Sequence, residues 1–256
     1  NGIDITHLQG TLKTTDKALI QVASNFNCLE LPNFYVPPDN GNVVDSAIFD
    51  CTQGPAVCAG TLSAYLYRTH FVFDGQCGQT KTKQIDLLKN VHKYFKEHVN
   101  GKVLPNDKIE NINENVEQEI VNEIQIGLHR NIPILRNRKH YLKEPFQTVD
   151  QCFSSTLIIR NDGDKFKTTK QQQILLRAAY EGVFLSAIKC KNKKLYLTLI
   201  GGGCFNNNIH IIVQELSLAF KKYANHQNSN LELVQLCLYN DDSDIIKELC
   251  TQNGIL

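Results

Sequence analysis

Three consecutive glycines interrupt a regular alternation of strand and helix patterns in the last quarter of the chain. The apolar run 194–200 has the composition of a buried strand and ends directly at glycines 201–203. A helical pattern over about 209–223, a second apolar run at 231–238 and a closing helix follow. The two strands of such a βαβα unit lie parallel, because a helix connects them. The unit therefore predicts an α/β fold with a mostly parallel, mixed sheet and helices on both faces.

Weaker patterns elsewhere fit the same fold class. Three more strands are predicted from short apolar runs, at 18–24, 124–128 and 149–159. Three more helices are predicted from helical spacing of apolar residues, at 56–67, 84–97 and 174–187. The acidic stretch 103–121 indicates an exposed helix or linker, and 136–143 a basic surface turn. In a sheet of this kind, a ligand site lies beyond the carboxyl ends of the strands.

The composition excludes several classes of function. The chain has 256 residues, of which 42% are hydrophobic, and this is enough to bury the core of one large domain. A formal net charge of +1 gives no broad basic field for nonspecific binding to nucleic acid or to an anionic membrane. No apolar run reaches the length of a membrane span. We therefore expect a monomer without nucleic-acid or membrane binding, which is selective through a defined site.

Cysteine usage bears on the compartment and on metal binding. The nine cysteines are an odd number, and none forms a Cys-x-x-Cys pair. Most lie in apolar stretches, where a reduced thiol behaves as a small hydrophobe. This usage predicts a reducing compartment, either the cytoplasm or, for a delivered protein, the cytosol of a host cell. No spacing of His, Cys and carboxylates indicates zinc, so we predict no metal site and no cofactor.

The glycine loop, residues 201–206, is the strongest candidate for a binding site. Glycine lets the backbone approach a ligand closely, and amides at the N-terminus of the next helix attract an anion. The loop is not a nucleotide P-loop, because no Lys-Ser/Thr pair follows, and its spacing differs from the dinucleotide fingerprint. It predicts a diphosphate cradle, with a tight structural turn as the alternative.

Two polar segments after the first predicted strand are further candidates. Asn25, Asn27 and Glu30 place two amides and a carboxylate at a strand end, where they can hydrogen-bond sugar hydroxyls. A capping turn is the alternative for these residues. Asp50 precedes the polar run 52–55 at a helix start, where it is either part of the site or a simple cap.

Other reactive side chains suggest a third class of function. A cysteine hydrolase would use Cys152 or Cys204 as nucleophile and His129 or His210 as base, although no nucleophile signature accompanies these residues. Arg68 either contacts phosphate or forms a structural ion pair.

Several of these segments together resemble the macrodomain family. Residues 2–8 resemble the family's opening Gly-Asp-Ile-Thr with one residue inserted, and residues 22–27 stand where the family has Val-Asn-Ala-Ala-Asn. The glycine loop resembles the second phosphate loop, Gly-Thr-Gly-x-Phe-Gly, and residues 233–242 resemble the last strand. Further segments look like a divergent branch that includes bacterial effector-type and eukaryotic proteins related to ADP-ribose hydrolases: 21–30, 50–55, 67–68, 78–80 and 84–86.

The resemblance implies a three-layer macrodomain-like fold, with residues 1–256 as a single domain. It covers about the first 90 and the last 85 residues. Residues 98–148 are unmatched, and we expect them to form a family-specific insertion or a lid.

The resemblance also implies ADP-ribose as ligand and a role for each matched residue. Asp4 would hold the adenine amino group, and Asn25 and Asn27 the distal ribose. The run 52–55 replaces the family's first glycine loop, and its residues Gln53 and Gly54 would bind the ligand. The diphosphate would lie against the glycine loop, and the ribose would pack near Phe205. The residues of this loop are Gly201, Gly202, Gly203, Cys204, Phe205 and Asn206.

Catalysis would require a carboxylate near the distal ribose. Cleavage at its anomeric carbon passes through an oxocarbenium-like state, which a carboxylate stabilises while a base positions water. Glu30 and Asp50 lie in segments that should flank this ribose, so each is a candidate catalytic residue. The predicted function is an ADP-ribosyl hydrolase that removes ADP-ribose from a modified macromolecule such as an ADP-ribosylated protein. The alternative is a noncatalytic reader; the Gln-Glu-Glu signature of poly(ADP-ribose) glycohydrolases is absent from the sequence.

Overall fold

The computed structural model describes residues 3–31, 35–41, 43–50, 52–73, 75–137, 140–238 and 243–255. Its helices are α1 (Ile5–Thr11), α2 (Val43–Phe49), α3 (Gln53–Gly60), α4 (Leu62–His70), α5 (Glu114–Glu123), α6 (Asp162–Lys167), α7 (Thr169–Cys190), α8 (Ile209–Tyr223) and α9 (Ser243–Gln252). Its strands are β1 (Ala18–Ala23), β2 (Val72–Phe73), β3 (Gln76–Cys77), β4 (Lys96–Val99), β5 (Lys102–Leu104), β6 (Gly127–Pro133), β7 (Arg136–Asn137), β8 (His140–Tyr141), β9 (Thr148–Ser154), β10 (Lys194–Leu197) and β11 (Leu233–Leu236). Short 3-10 turns lie at Thr14–Asp16, His92–Tyr94 and Asp107–Asn111.

A five-stranded sheet in the order β11-β10-β1-β9-β6 forms the centre of the described structure. The first four strands of this order run parallel, and β6 runs antiparallel to β9. The central strand β1 has no exposed residue, which suits a strand covered on both faces. The predicted mixed, mostly parallel sheet is confirmed.

Alternate residues of β1 enter two different cores, because successive side chains of a strand point to opposite faces. Ile20 and Val22 pack in one core with Tyr65 of α4. Leu19 packs in the other with Phe184 of α7 and with residues of α8. The helices therefore cover both faces of the sheet, and the predicted three-layer fold is confirmed. No helix within the described ranges has both the length and the apolarity of a membrane span.

Residues 98–148 contribute to the main sheet and its core. The segment supplies β6, the antiparallel edge strand, and Ile132 and Ile134 are buried in the core. Val103 bridges in parallel to Leu157, and its carbonyl accepts a hydrogen bond from Ile158 N–H at 3.1 Å. None of the described residues of the segment lines the cleft presented below.

The predicted helix at 84–97 is wrong, although four of its apolar residues, Leu87, Leu88, Val91 and Phe95, are buried. Turns, a 3-10 turn and β4 occupy this stretch. Asp86 Oδ1 accepts a hydrogen bond from Leu88 N–H at 2.9 Å, and Leu87 N–H donates to the carbonyl of Phe26 at 3.0 Å. Backbone groups are thus satisfied by loop partners, whereas a helix would pair them four residues apart.

Candidate functional site

A cleft of about 310 Å³ opens at the carboxyl ends of the parallel strands β1, β9, β10 and β11. Its walls come from segments that are far apart in the sequence. The lining residues are Ile3, Ile5, Ala23, Ser24, Glu30, Thr52, Gln53, Gly54, Pro55, Ser154, Ser155, Thr156, Thr198, Leu199, Ile200, Gly201, Gly202, Gly203, Cys204, Phe205, Cys237 and Leu238.

The cleft exists because β1 and β10 separate before β1 ends. Strand β1 pairs with β10 only as far as Ile20, whereas its pairing with β9 continues to Ala23. Beyond that point the Gln53 side chain takes the place of a strand: its Oε1 accepts from Ala23 N–H at 2.9 Å, and its Nε2 donates to the Gln21 carbonyl at 2.7 Å. Gln21 Oε1 in turn accepts a hydrogen bond from Thr198 N–H at 3.2 Å. Side-chain amides therefore hold the two strands apart.

Helix α3 begins at the edge of this gap, and its first residues line the cleft. A helix N-terminus carries unpaired N–H groups and the positive end of the helix dipole, both of which attract anions. Thr52 precedes the helix, and its N–H and Oγ1 both donate to Asp50 Oδ1, at 2.8 and 2.6 Å. Asp50 is exposed and is not among the lining residues. Asp50 therefore fixes Thr52, the N-cap residue of α3, and is neither a cleft-lining residue nor a simple cap of the helix.

The glycine loop forms another wall of the cleft. Gly201 has a φ of +75°, and a Cβ atom there would overlap Thr156 Cγ2, so this position requires glycine. Asn207 fastens the loop, since its Nδ2 donates to the carbonyls of Leu157 at 2.7 Å and Phe205 at 3.2 Å. The loop thus has a fixed shape next to the start of α8.

One predicted loop contact points away from the cleft. Gly201, Gly202, Gly203, Cys204 and Phe205 line it. Asn206, with a φ of +55°, does not, and its Nδ2 donates to Asp162 Oδ1 at 2.9 Å. Its role is therefore to fix the end of the loop.

Glu30 provides the only carboxylate among the described residues that line the cleft. Its carbonyl accepts a hydrogen bond from Tyr65 OH at 2.6 Å, which fixes the backbone. Burial raises the pKa of Glu30 to about 8; the positive charge of Lys102 opposes the shift, and the negative charge of Asp50 adds to it. Lys102 is buried as well, and burial lowers its pKa to about 8. These surroundings favour the protonated form of Glu30 more than those of an exposed carboxyl group do.

Asp4 and Asn27, predicted to contact ADP-ribose, take structural positions outside the cleft lining. Asp4 is the N-cap of α1, and its Oδ1 accepts the N–H of the third helical residue at 2.8 Å. Asn27 is fully buried. Its Nδ2 donates to Gln84 Oε1 at 2.8 Å, and its Oδ1 accepts from Leu29 N–H at 3.1 Å. The structure thus favours the capping-turn alternative for Asn27.

Asn25 lies immediately beyond the end of β1. It is 1% exposed, and its Nδ2 has no hydrogen-bond partner. Its backbone N–H donates to the Leu29 carbonyl at 2.9 Å, so the turn itself is closed. Asn25 is not among the lining residues, but its neighbour Ser24 is. The amide therefore stands just behind the cleft wall.

Sequence reasoning missed two groups of lining residues. Ser154, Ser155 and Thr156 form a row of hydroxyls at the end of β9, inside the predicted strand 149–159. Three adjacent hydroxyl residues after a buried apolar run were the available signal. The apolar residues Ile3 and Leu238 also line the cleft, and they are joined by a backbone hydrogen bond of 2.6 Å.

The residues of the cysteine-hydrolase alternative lie in different surroundings. Cys152 is fully buried, and burial raises the pKa of its thiol to about 12. His129 Nδ1 lies 3.3 Å from an Arg68 guanidinium nitrogen, and burial, together with that charge, lowers the pKa of His129 to about 4. Cys204 is exposed in the cleft, and His210 is exposed on α8. Among the described residues, no hydrogen bond or ring contact joins either cysteine to either histidine.

Arg68 is buried near the core. Its Nε donates to the Cys28 carbonyl at 3.1 Å, and its guanidinium lies 4.0 Å from the centre of the Phe153 ring. Arg68 does not line the cleft. Within the described ranges, no group of three or more His, Cys, Asp or Glu side chains is placed to hold a metal ion.

The fold is a macrodomain-like α/β fold. No protein-family model matches the sequence, and no curated protein matches it. The chain is similar in structure, with a TM-score of 0.59, to a mutant poly(ADP-ribose) glycohydrolase from Deinococcus radiodurans in complex with ADP-ribose. The two sequences are 13% identical, and the match covers 99% of this chain and 82% of that chain. Another structure of the Deinococcus radiodurans enzyme with ADP-ribose gives a TM-score of 0.52 at 11% identity, over 97% and 89% of the two chains. At this level of identity the similarity establishes the fold.

Proposed function

We propose that the cleft binds ADP-ribose. The observation that carries the proposal is the change in chemistry across the sheet order. At β11 the lining of the cleft is apolar, with Ile3 and Leu238. Beside the next two strands, β10 and β1, lie the glycine loop and the N-terminus of α3. At β9 the lining carries hydroxyl groups. From one end of the cleft to the other, these chemical environments suit an adenine, a diphosphate and a ribose in that order. The two similar glycohydrolase structures also hold ADP-ribose.

We further propose that the protein is an ADP-ribosyl hydrolase and that Glu30 is its catalytic residue. Hydrolysis breaks the bond between the anomeric carbon of the distal ribose and the acceptor, and water adds to that carbon. A carboxylate there stabilises the positive charge on the ribose or accepts a proton from the water. A carboxyl pKa of about 8 is close to the working pH, which suits proton transfer.

Asp50 acts in this proposal through Thr52, the residue at which α3 begins. Its carboxylate fixes Thr52 and thereby the first residues of α3, and its negative charge raises the pKa of Glu30. It is therefore a positioning residue. The conservative change D50N should shift the pH profile of turnover, whereas a purely structural role would leave the profile unchanged.

A noncatalytic reader is the second candidate. It is favoured by the raised pKa of Glu30, because a carboxyl group that keeps its proton cannot accept another from water. A reader would bind ADP-ribose and release no product at any pH between 6.5 and about 9.

Calorimetry with ADP-ribose and a turnover assay on an ADP-ribosylated protein test both proposals on the same samples. We expect wild type to bind and to release ADP-ribose. We expect E30Q to bind within about threefold of wild type and to lose about 100-fold or more in turnover. Binding by wild type without product release would identify a reader. Failure of wild type to bind would contradict ADP-ribose as the ligand, and full turnover by E30Q would contradict the assignment of Glu30.

A further inference from the structure

The hydroxyl of Ser155 is buried in the wall of the cleft without a hydrogen-bond partner. Ser155 is 3% exposed. Five buried side-chain polar atoms of the described residues lack a partner, and they belong to Asn25, Arg136, Gln151, Ser155 and Asn192. Of these, Ser155 is the one residue that lines the cleft. Because buried polar groups are nearly always hydrogen-bonded, a hydroxyl left unpaired at a cleft wall indicates a ligand partner.

The neighbouring hydroxyls already have partners within the protein. Ser154 Oγ accepts a hydrogen bond from Gln21 Nε2 at 3.4 Å, and Thr156 Oγ1 lies 3.3 Å from Asn207 Oδ1. Thr156 therefore helps to fix the glycine loop, and Ser154 helps to fix the gap beside β1. Ser155, between them, makes no such bond, so a structural explanation that fits its neighbours does not fit Ser155.

The position of Ser155 in the sheet indicates which part of a ligand it meets. Ser155 follows β9, which lies three strands from β11 and its apolar lining residue Leu238. With strands about 4.8 Å apart, these two ends of the cleft are separated by roughly 14 Å. On the near side, Ser24 N–H donates to the Ser154 carbonyl at 3.0 Å, so Ser155 adjoins the turn that leads to Glu30. When the adenine of an extended ligand lies at the apolar end of the cleft, only the opposite end of that ligand can reach Ser155.

We propose that Ser155 positions the distal ribose by a hydrogen bond from its hydroxyl, and that the cleft thereby distinguishes ADP-ribose from ADP. The proposal rests on the proposed function, because it takes ADP-ribose as the ligand. It adds a determinant of specificity at the end of β9, whereas Glu30 follows the turn after β1 and the glycine loop follows β10.

Two variants and two ligands test this inference. Calorimetry measures the Kd of ADP-ribose and of ADP for wild type, S155A and S217A, and thermal unfolding measures the Tm of each protein without ligand. Ser217 is the matched control, because it is equally buried, its hydroxyl donates to the Val213 carbonyl at 2.6 Å, and it is outside the cleft lining.

We expect S155A to weaken ADP-ribose binding by about tenfold, to leave ADP binding within about twofold, and to keep or raise the Tm. The Tm should not fall, because alanine removes an unpaired buried hydroxyl. S217A should lower the Tm and leave both Kd values unchanged, since it removes a hydrogen bond that is made within the protein.

Each contrary result has a separate meaning. Unchanged ADP-ribose affinity in S155A, or an equal loss for ADP and ADP-ribose, would overturn the assignment of Ser155 while ADP-ribose remained the ligand. A lower Tm in S155A would show that the hydroxyl is paired within the protein, and would also overturn it. Failure of wild type to bind ADP-ribose would overturn the proposed function and this inference together.

Discussion

The carboxyl group of Glu30 lies directly against Gly54: a Cβ atom added to Gly54 would stand 2.5 Å from Glu30 Oε1. The same added atom would overlap the carbonyl oxygen of Ala23 at the end of β1. Only glycine therefore lets the start of α3 approach both the strand end and the carboxyl group. This contact joins the helix N-terminus and Glu30 into one unit.

G54A should disturb that unit. The added methyl group must displace either backbone or the Glu30 carboxyl group, and overpacking of this kind costs about 1–3 kcal/mol of unfolding free energy. We expect a lower Tm and a loss of both ADP-ribose binding and turnover. G163A is the control, because an added Cβ atom meets nothing within 4 Å there. Equal behaviour of the two variants would contradict the close contact between Gly54 and Glu30.

Turnover should depend on pH through Glu30. If the ionised carboxyl group is the active form, kcat/KM rises with pH and reaches half of its limiting value near pH 8, because burial raises the pKa of Glu30 to about 8. Initial rates between pH 6 and 9.5 measure the profile. A profile that is flat across this range would show that Glu30 ionisation does not limit the reaction.

The unfolding free energy of the unliganded protein should also depend on pH through Glu30. The folded-state pKa of Glu30 lies above its ordinary value of 4.5, so between about pH 4.5 and 8 the folded chain holds a proton that the unfolded chain has lost. Glu30 therefore lowers the unfolding free energy as pH rises through this window, by at most about 1.4 kcal/mol per pH unit.

Urea unfolding of wild type and E30Q across that range isolates the contribution, since all other groups are shared. The difference between the two proteins should grow steadily toward pH 8 in favour of E30Q. A difference that is independent of pH would place the Glu30 pKa at its ordinary value.

N27A should destabilise the protein without a specific effect on the ligand. Its amide makes hydrogen bonds with Gln84 and with the backbone of Leu29, and the loss of such buried bonds costs about 1–3 kcal/mol. We expect a lower midpoint in urea and an ADP-ribose Kd within about twofold of wild type. N122A, at an exposed position on α5, should change neither value. A selective loss of affinity in N27A would return Asn27 to the ribose contacts that the family resemblance implies.

C204S should retain turnover within about threefold. Cys204 lines the cleft and is exposed, but among the described residues no hydrogen bond or ring contact joins it to a histidine that would activate its thiol. Iodoacetamide treatment of wild type and C204S, followed by the turnover assay, checks this. Loss of turnover in C204S without a loss of ADP-ribose binding would support the cysteine-hydrolase alternative.

The sequence predicted the elements whose signals are local. Helix α8 occupies the predicted range 209–223, because the side chain of Asn208 caps its start and its apolar face is periodic. Strand β1 was predicted within one residue from its continuous apolar run. The segment 84–97 misled because i, i+3 and i, i+4 spacing indicates which residues are buried, and a series of turns can bury the same residues.

The candidate site was predictable where glycine chemistry marks it and less so elsewhere. The glycine loop, Gln53, Gly54 and Glu30 line the cleft as expected. Side chains such as Asp4, Asn27 and Asp50 can either contact a ligand or fix a turn or helix start by a local hydrogen bond, and only the folded structure decides between these two roles. The row of three hydroxyl residues that contains Ser155 is visible in the sequence, but only the folded protein shows that Ser155 is the one without a hydrogen-bond partner.

The two hydrogen bonds of Gln53 have a kinetic consequence. Where a neighbouring strand ends, unpaired backbone N–H and C=O groups usually attract another strand. On β1 the Gln53 side chain pairs with these groups without filling the gap between β1 and β10. A ligand entering there does not have to part a sheet or wait for a rare open form. We therefore expect association at the rate of an unhindered encounter, and a backbone that moves by less than about 1 Å between the free and the bound protein.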